Sequence, residues 1–390
     1  MSSAYLQSNQ NCHYLAKETM PGIIPAINGN QRVVLSGLRM ATSHLIPKRN
    51  DKWGSRSVGE PMQSLQKESS FHFSTYHYVN NAYPSASKYG ALLEASMGGD
   101  ALHFPGGVVE SLPTAKQIRF ASPHALSKMM AVSYGGELRF VTEVIDSQTV
   151  ELNAAFSVAP TPGNALSPTH TYKLSKTLKS FSLFDYWSPG TSVQRIGRGA
   201  VADKMKIEIN GDYHSLTFSG PMVDVVDSLT FEPGAGGLSE FPAEPGVLDS
   251  GHPMPVPGHL GQAYIGGSQF HTLTEAEITL SNGVDGKGRE FGSLVPRSFV
   301  CGRRTVTFSA SLYVTDEDAT RNLYEYSSER SPMPVMVQLG DRQGHLMGIY
   351  MPKVVPASPG YDDRDNRLIW RLDKCIAHGV DDDEMCIGMA

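Results

Sequence analysis

Charge is what this chain has least of. Asp, Glu, Lys and Arg make up 18% of its 390 residues, against roughly a quarter in average soluble proteins. Two explanations fit equally well: a surface largely covered by other subunits, or a loop-rich β protein in which Gly, Pro, Ser and Thr have displaced charges. The charge that remains leans acidic, with a formal net of −6, so no basic field exists to hold nucleic acid tightly by its phosphates. Cysteine is scarce too. Cys12, Cys301, Cys375 and Cys386 form no C-x-x-C pair, which excludes a disulfide scaffold and a zinc ribbon and points to folding in a reducing cytoplasm. No run of 18 or more apolar residues occurs, so no membrane-spanning helix is expected. Met1–Met20 holds Lys17 as its only lysine or arginine and no apolar segment of signal-peptide length, so no secretory signal is expected.

Signatures of chemistry are missing as well. Gly197-Arg198-Gly199 and Gly234-Ala235-Gly236-Gly237 are too short for dinucleotide fingerprints, and no G-x-S-x-G elbow occurs. His72 and His77, five apart on a strand, point to opposite faces and cannot share a metal. Asp362-Asp363-x-Asp365 lacks the Gly and distal Glu of a calcium loop and reads as a solvated turn. Asp381–Glu384 reads as a solvated acidic tail, or as one docked against Lys or Arg of a neighbouring subunit. Tyr76, Tyr78, Tyr186 and Trp187 could form a sugar-binding surface, but core and interface packing explains them more simply. The expectation is therefore no catalytic, cofactor-binding or metal-binding residue, no cofactor and no enzyme.

What is present is period two. Val306, Phe308, Ala310, Leu312 and Val314 alternate with Thr and Ser from Thr305 onward, the mark of a half-buried strand. Met205, Ile207 and Ile209 alternate with Lys204, Lys206 and Glu208. Asn210-Gly211 then suggests a tight turn into a returning strand through His214, Leu216 and Phe218. Further strands are expected over Phe71–Tyr78, Leu138–Ile145, Thr149–Leu152, Phe181–Trp187, Val335–Leu339, His345–Tyr350 and Leu368–Lys374. One helix is expected after Thr315, with Thr315-x-x-Asp318 as a capping box, Ala319, Leu323 and Tyr326 on one face and Pro332 as its stop. A shorter one is expected over Ala86–Met97, ended by Gly98-Gly99. This is a mainly β chain.

The order of elements repeats. A strand then helix at Ser69–Met97 is echoed from Thr305, and polar loops precede both strands, Asn50–Gly59 and Asn282–Ser293. The division expected is an N-terminal arm over 1–35 and a first β domain over 36–116 and 153–200, interrupted by a β insertion over 117–152. A second β domain covers 201–390, with a Gly/Pro-rich arm at 232–267.

Gly199–Asp212 continuing to Leu216-Thr217-Phe218-Ser219-Gly220 resembles the central hairpin of the major tail tube proteins of long-tailed bacteriophages. The strand at Thr305, the helix at Asp316, Val335–Gly340, Tyr350-Met351-Pro352, Trp370-Arg371-Leu372 and Asp381–Glu384 resemble that family's C-terminal third. Leu38-Arg39-Met40 with Ser43-His44-Leu45 resembles its first strand. The 117–152 module and the 232–267 arm depart from the pattern. The resemblance implies a tail-tube-type β-sandwich or half-barrel with a flanking helix, self-assembly into stacked rings, and a channel through which genomic DNA passes without specific binding. It also implies a virion-tail location after synthesis in the host bacterial cytoplasm, tape-measure and tube-end proteins as partners, and no membrane. A duplicated chain would complete a pseudo-sixfold ring with three copies; a single-copy chain would need six. A tube terminator or baseplate hub piece is the alternative, and a carbohydrate-binding β module a more distant one. The loop Asn282–Ser293 is expected to contact a neighbouring chain.

Overall fold

The computed structural model describes residues 10–47, 52, 54–56, 65–187, 194–246, 253–286, 290–364 and 366–390. Much of the Asn50–Gly59 loop, part of Asn282–Ser293 and Asp365 lie outside the described residues. The fold is mainly β, as the period-two pattern implies.

Fourteen strands and two helices carry the argument. The first seven strands are β1 (Asn11–Lys17), β2 (Ser36–His44), β3 (Lys67–Tyr76), β4 (Phe181–Trp187), β5 (Arg195–Ala200), β6 (Lys204–Ile209) and β7 (Ser215–Met222), with α1 (Gly90–Met97) following β3. The second seven are β8 (Gly261–Ile265), β9 (Leu273–Ser281), β10 (Thr305–Tyr313), β11 (Met333–Leu339), β12 (Met347–Val355), β13 (Gly360–Asp362) and β14 (Ile369–Ala377), with α2 (Asp318–Glu329) following β10.

The large sheet contains the antiparallel run β2-β3-β7-β6-β9-β10-β14-β13. Alternation buries one side of each strand: Phe71 and Phe73 on β3, Phe218 on β7, Ile207 on β6, Ile278 on β9 and Phe308 on β10 join one core. Each such side chain contributes roughly 1.5–3 kcal/mol. Against that face packs a second layer. In the first half it is β5-β4-β1, with Phe181 meeting Phe71 edge-on at 5.4 Å. In the second half it is β12-β11-β8.

The two halves match pair by pair. Adding 152 to β4 numbers and 154 to β5 numbers turns Phe181↔Ala200, Leu183↔Gly197, Phe184↔Ile196 and Asp185↔Arg195 into Met333↔Val354, Val335↔Met351, Met336↔Tyr350 and Val337↔Ile349. The register shift after the first of these pairs is present in both. Adding 154 to both strands of the β6–β7 hairpin turns Lys206↔Thr217, Ile207↔Leu216 and Glu208↔Ser215 into Gly360↔Arg371, Tyr361↔Trp370 and Asp362↔Ile369. Met40↔Phe71 in β2–β3 corresponds to Ile278↔Phe308 in β9–β10, and Asn11↔Trp187 to Gly261↔Leu339. The side of the sheet that is buried is the same in both halves.

Several local expectations are refined. The turn after β6 is wider than a two-residue hairpin, because the Asn210 side chain accepts from the amides of Asp212 (3.2 Å) and Tyr213 (3.3 Å) while Gly211 takes φ +83°. The capping box does not form: Glu317 is the N-cap, and the Thr315 hydroxyl bonds instead to the Thr320 hydroxyl at 2.9 Å. α1 starts at Gly90 rather than Ala86, since residues before it close turns, with the Gly90 amide on the Ser87 carbonyl. The strands of the stretch 117–152 lie within one six-stranded sheet. That sheet also takes in Gly107–Thr114 and Ala165–Leu166, and two register shifts against Gln117–Phe120 erase clean alternation in Gly107–Thr114. It leaves and rejoins the fold through Leu102–Phe104 and Thr169–Lys173, which pair with each other. Within the stretch read as an N-terminal arm, β1 pairs with β4 along its whole length. Within the Gly/Pro arm, buried Val256 donates its amide to the His77 carbonyl at 2.8 Å, and Met254 accepts from the Val79 amide at 2.9 Å.

Candidate functional site

Three features remain after the core has been accounted for. The first is a pair of sheet edges. Among the described residues β2 pairs only with β3, and β13 only with β14. Each therefore leaves one row of backbone donors and acceptors without a strand partner, the arrangement that invites pairing with another chain. Arg39, Ala41, Thr42 and Ser43 on β2 are exposed. Tyr361 on β13 is 61% exposed, although its counterpart Ile207 is fully buried.

The second is the outer face of the large sheet. Strand alternation places Ser74, Thr217, Lys206, Glu208, Glu277 and Thr279 there, a surface rich in hydroxyls. Ser74 and Thr217 hydroxyls meet at 3.0 Å across β3 and β7. Lys206 Nζ lies 2.5 Å from Glu208 and 2.9 Å from Glu277. The hydrogen bonds to Glu208 and then Glu277 raise the Lys206 pKa, and the bond from Lys206 lowers that of Glu208. Charges on this face thus compensate one another, and Lys204, Lys206 and Glu208 sit together as the sequence pattern indicates.

The third is the connection between β9 and β10. Gln66 donates to the carbonyls of Glu290 (3.1 Å) and Ser293 (3.2 Å), and the Lys67 amide donates to the Leu294 carbonyl at 2.8 Å. The corresponding β2–β3 connection therefore ends against this one. Phe291 at its tip is fully exposed, and Val300 largely so.

The groups weighed for chemistry take structural positions. His72 is exposed and His77 buried, on opposite sides. The His77 Nε2–H donates to the His345 carbonyl at 2.7 Å, and burial pushes the His77 pKa down to about 4. Asp362 accepts from Arg364 and Arg371, each at 2.6 Å, and these bonds, Arg364 first, hold its carboxyl well below the usual range. The acidic end docks within its own chain: Arg304 reaches Asp382 at 2.5 Å and Glu384 at 3.0 Å. Tyr78 and Tyr186 are buried, which removes two of the four aromatics from a sugar-binding surface. No cluster of three or more metal-ligating side chains occurs among the described residues, and no helix is long and apolar enough to cross a membrane. The edge residues Arg39 and Tyr361 and the exposed Phe291 are what sequence reading missed; an apolar residue inside an otherwise polar loop was the one available signal for Phe291.

No curated protein matches the chain. A family model described as phage tail tube protein matches residues 67–341, from the first residue of β3 to just past β11. With that match covering most of its length, the chain belongs to the phage tail tube protein family, a family of virion tail components.

Proposed function

We propose that this chain is a tube subunit made of two copies of one tube fold, β1–β7 with α1 and β8–β14 with α2, and that three chains close a pseudo-sixfold ring. The observation that carries this reading is the register correspondence of four strand pairings, including a shared bulge. Independent strands have no reason to repeat a bulge at equivalent pairs, whereas a duplicated fold inherits it. On this reading the hairpin β6–β7 closes the first copy, so the division falls after Met222 and not at residue 200. The segment 223–260 joins the copies.

The hydroxyl-rich outer face of the large sheet then lines the channel. Its internally compensated charges, with a net acidic chain, leave phosphates nothing to grip, so DNA slides through. Rings stack through the β9–β10 connection, whose exposed Phe291 and Val300 suit a neighbouring ring. A tape-measure protein would occupy the bore during assembly, with tube-end proteins at the termini. No catalysis is assigned to the chain. Negative-stain electron microscopy of the purified protein tests this: hollow tubes or rings with threefold repeat are expected. A folded monomer that forms neither at high concentration overturns the proposal, and single rings that never stack point to a tube-end component.

A further inference from the structure

We infer that the ring closes by antiparallel pairing of β13 of one copy with β2 of the next, in the register the chain already uses between β6 and β9. The inference rests on the two-copy reading and adds to it the residues that meet. Inside the chain the two copies join where β6 pairs with β9, through Lys206↔Thr279, Ile207↔Ile278 and Glu208↔Glu277. β13 is the counterpart of β6, and β2 the counterpart of β9. They lie at the two ends of the run β2-β3-β7-β6-β9-β10-β14-β13, and strand direction alternates along it. Bringing the β13 end of one copy to the β2 end of another therefore gives an antiparallel pair. Adding 154 to β6 numbers and subtracting 238 from β9 numbers carries the internal seam over to the external one. Gly360 then faces Ala41, Tyr361 faces Met40, and Asp362 faces Arg39.

The side chains at those positions suit the register although none of them entered its derivation. Asp362 and Arg39 carry opposite charge, which favours a directly opposed pair, where like charges would disfavour it. Asp362 already holds Arg364 and Arg371, each at 2.6 Å, so Arg39 would be a third cation beside one carboxylate. On the internal seam a charge is likewise compensated across the strands, Lys206 lying between Glu208 and Glu277. Tyr361, 61% exposed, gains Met40 as a cover on the core side, as Ile207 has Ile278. Gly360 and Ala41 are both small and exposed. Pairing with β14 fixes the pleat of β13, so a slip of one residue would oppose core-side Tyr361 to an outward-facing residue of β2, which excludes odd slips.

The test uses full-length protein with Cys301→Ser, in which Ala41→Cys and Gly360→Cys are combined. A Cβ at Gly360 meets nothing closer than the Arg371 carbonyl oxygen at 3.8 Å, so the substitution fits. Directly opposed strand residues lie within disulfide reach. After assembly and mild oxidation, the expected result is a covalent ladder ending at three chains on a non-reducing gel, with a 41–360 disulfide by mass spectrometry. Neither single cysteine should give the ladder. Arg39→Cys with Gly360→Cys probes a two-residue slip; a ladder from that pair and none from 41/360 overturns the register while leaving the ring. Rings that give no cross-link from either pair overturn the edge pairing and also leave the ring. A folded wild type that forms no ring overturns both proposals. Should the cysteines block assembly of a protein whose wild type forms rings, hydrogen exchange on the wild type decides. Protection gained at 38–43 and 358–363 on assembly supports the pairing, and unchanged exchange there overturns it.

Discussion

Lys206 and Glu277 join across the seam between the two halves of the chain, the Lys206 ammonium lying 2.9 Å from the Glu277 carboxylate. The same ammonium reaches Glu208 at 2.5 Å, and the β6–β9 register sets Glu208 directly opposite Glu277. One cation therefore keeps two opposed anions compatible. Lys206→Met should lower stability by about 0.5–1 kcal/mol, the cost of a like-charge pair across an antiparallel ladder, and the loss should shrink in salt because the group is partly exposed. Thermal melts at low and high ionic strength check this. A loss that is the same in both would mean that packing of the lysine stem, not its charge, is responsible.

Acid should loosen the fold through buried histidine. His77 is pushed down to about 4 by burial, and burial also lowers His214 and His345. The unfolded value is near 6.5. Because the folded pKa lies below the unfolded one, the unfolded chain takes up protons first as pH falls. Stability is thus fully present above about pH 6.5 and is lost progressively towards pH 4, by about 3 kcal/mol from His77 alone. His77→Gln can place its side-chain amide where Nε2 lies, keeping a donor for the His345 carbonyl, and cannot titrate. Urea unfolding at pH 7 and pH 4.5 should show a smaller pH-dependent loss in that variant than in wild type; equal losses would remove His77 from the account.

The strands were legible because a half-buried sheet imposes strict alternation on its sequence. Thr305–Tyr313 and Lys204–Ile209 fall where the pattern puts them. Where both sides of a strand are covered, or its register shifts, the pattern fades. Gly107–Thr114 has two register shifts against its partner, which is why its sequence shows no strand pattern. On the proposed two-copy reading the repeat is harder still to read, since the two halves match in strand register but share almost no residue identity. Only backbone pairing shows that Tyr361 stands where Ile207 does. The capping box failed for a local reason: Thr315 lies two residues before the N-cap and bonds to Thr320, outside the four-residue spacing that the motif needs. The edge residues were invisible because an unpartnered edge is a property of topology, not of composition.

Tube stacking should depend on the β9–β10 connection. Val284–Asp285 and Val300–Cys301 pair at its base, so the tip can be shortened beyond them without disturbing β9 or β10. Replacing 286–299 by a short Gly/Ser turn should leave the far-ultraviolet circular dichroism and single-ring formation unchanged and abolish long tubes in micrographs. Phe291→Asp should weaken stacking in the same direction by placing a charge at the fully exposed tip. Tubes of wild-type length from the shortened protein would assign stacking to another surface.

The inserted module should be held to the second half in part by Arg139, whose side chain is fully buried. Its guanidinium donates to the carbonyls of Ala155 (2.9 Å) and Leu138 (2.7 Å), to Glu137 at 2.8 Å and to the Tyr264 hydroxyl at 2.9 Å. It also stacks over the Tyr264 ring at 4.8 Å and the Phe156 ring at 5.3 Å. Tyr264 belongs to β8, so the guanidinium bridges the two units. Arg139→Ala opens a cavity and strips Glu137 of its cation, and breaking such a buried pair costs about 3–5 kcal/mol. Arg139→Met with Glu137→Gln keeps the volume and leaves no buried charge, so it should recover more than half of that loss. Denaturant unfolding of the three proteins measures it. The ordering wild type, then double variant, then Arg139→Ala is expected, and a double variant no more stable than Arg139→Ala would mean that the hydrogen bond and ring contact to Tyr264, not the charge pair, hold the module.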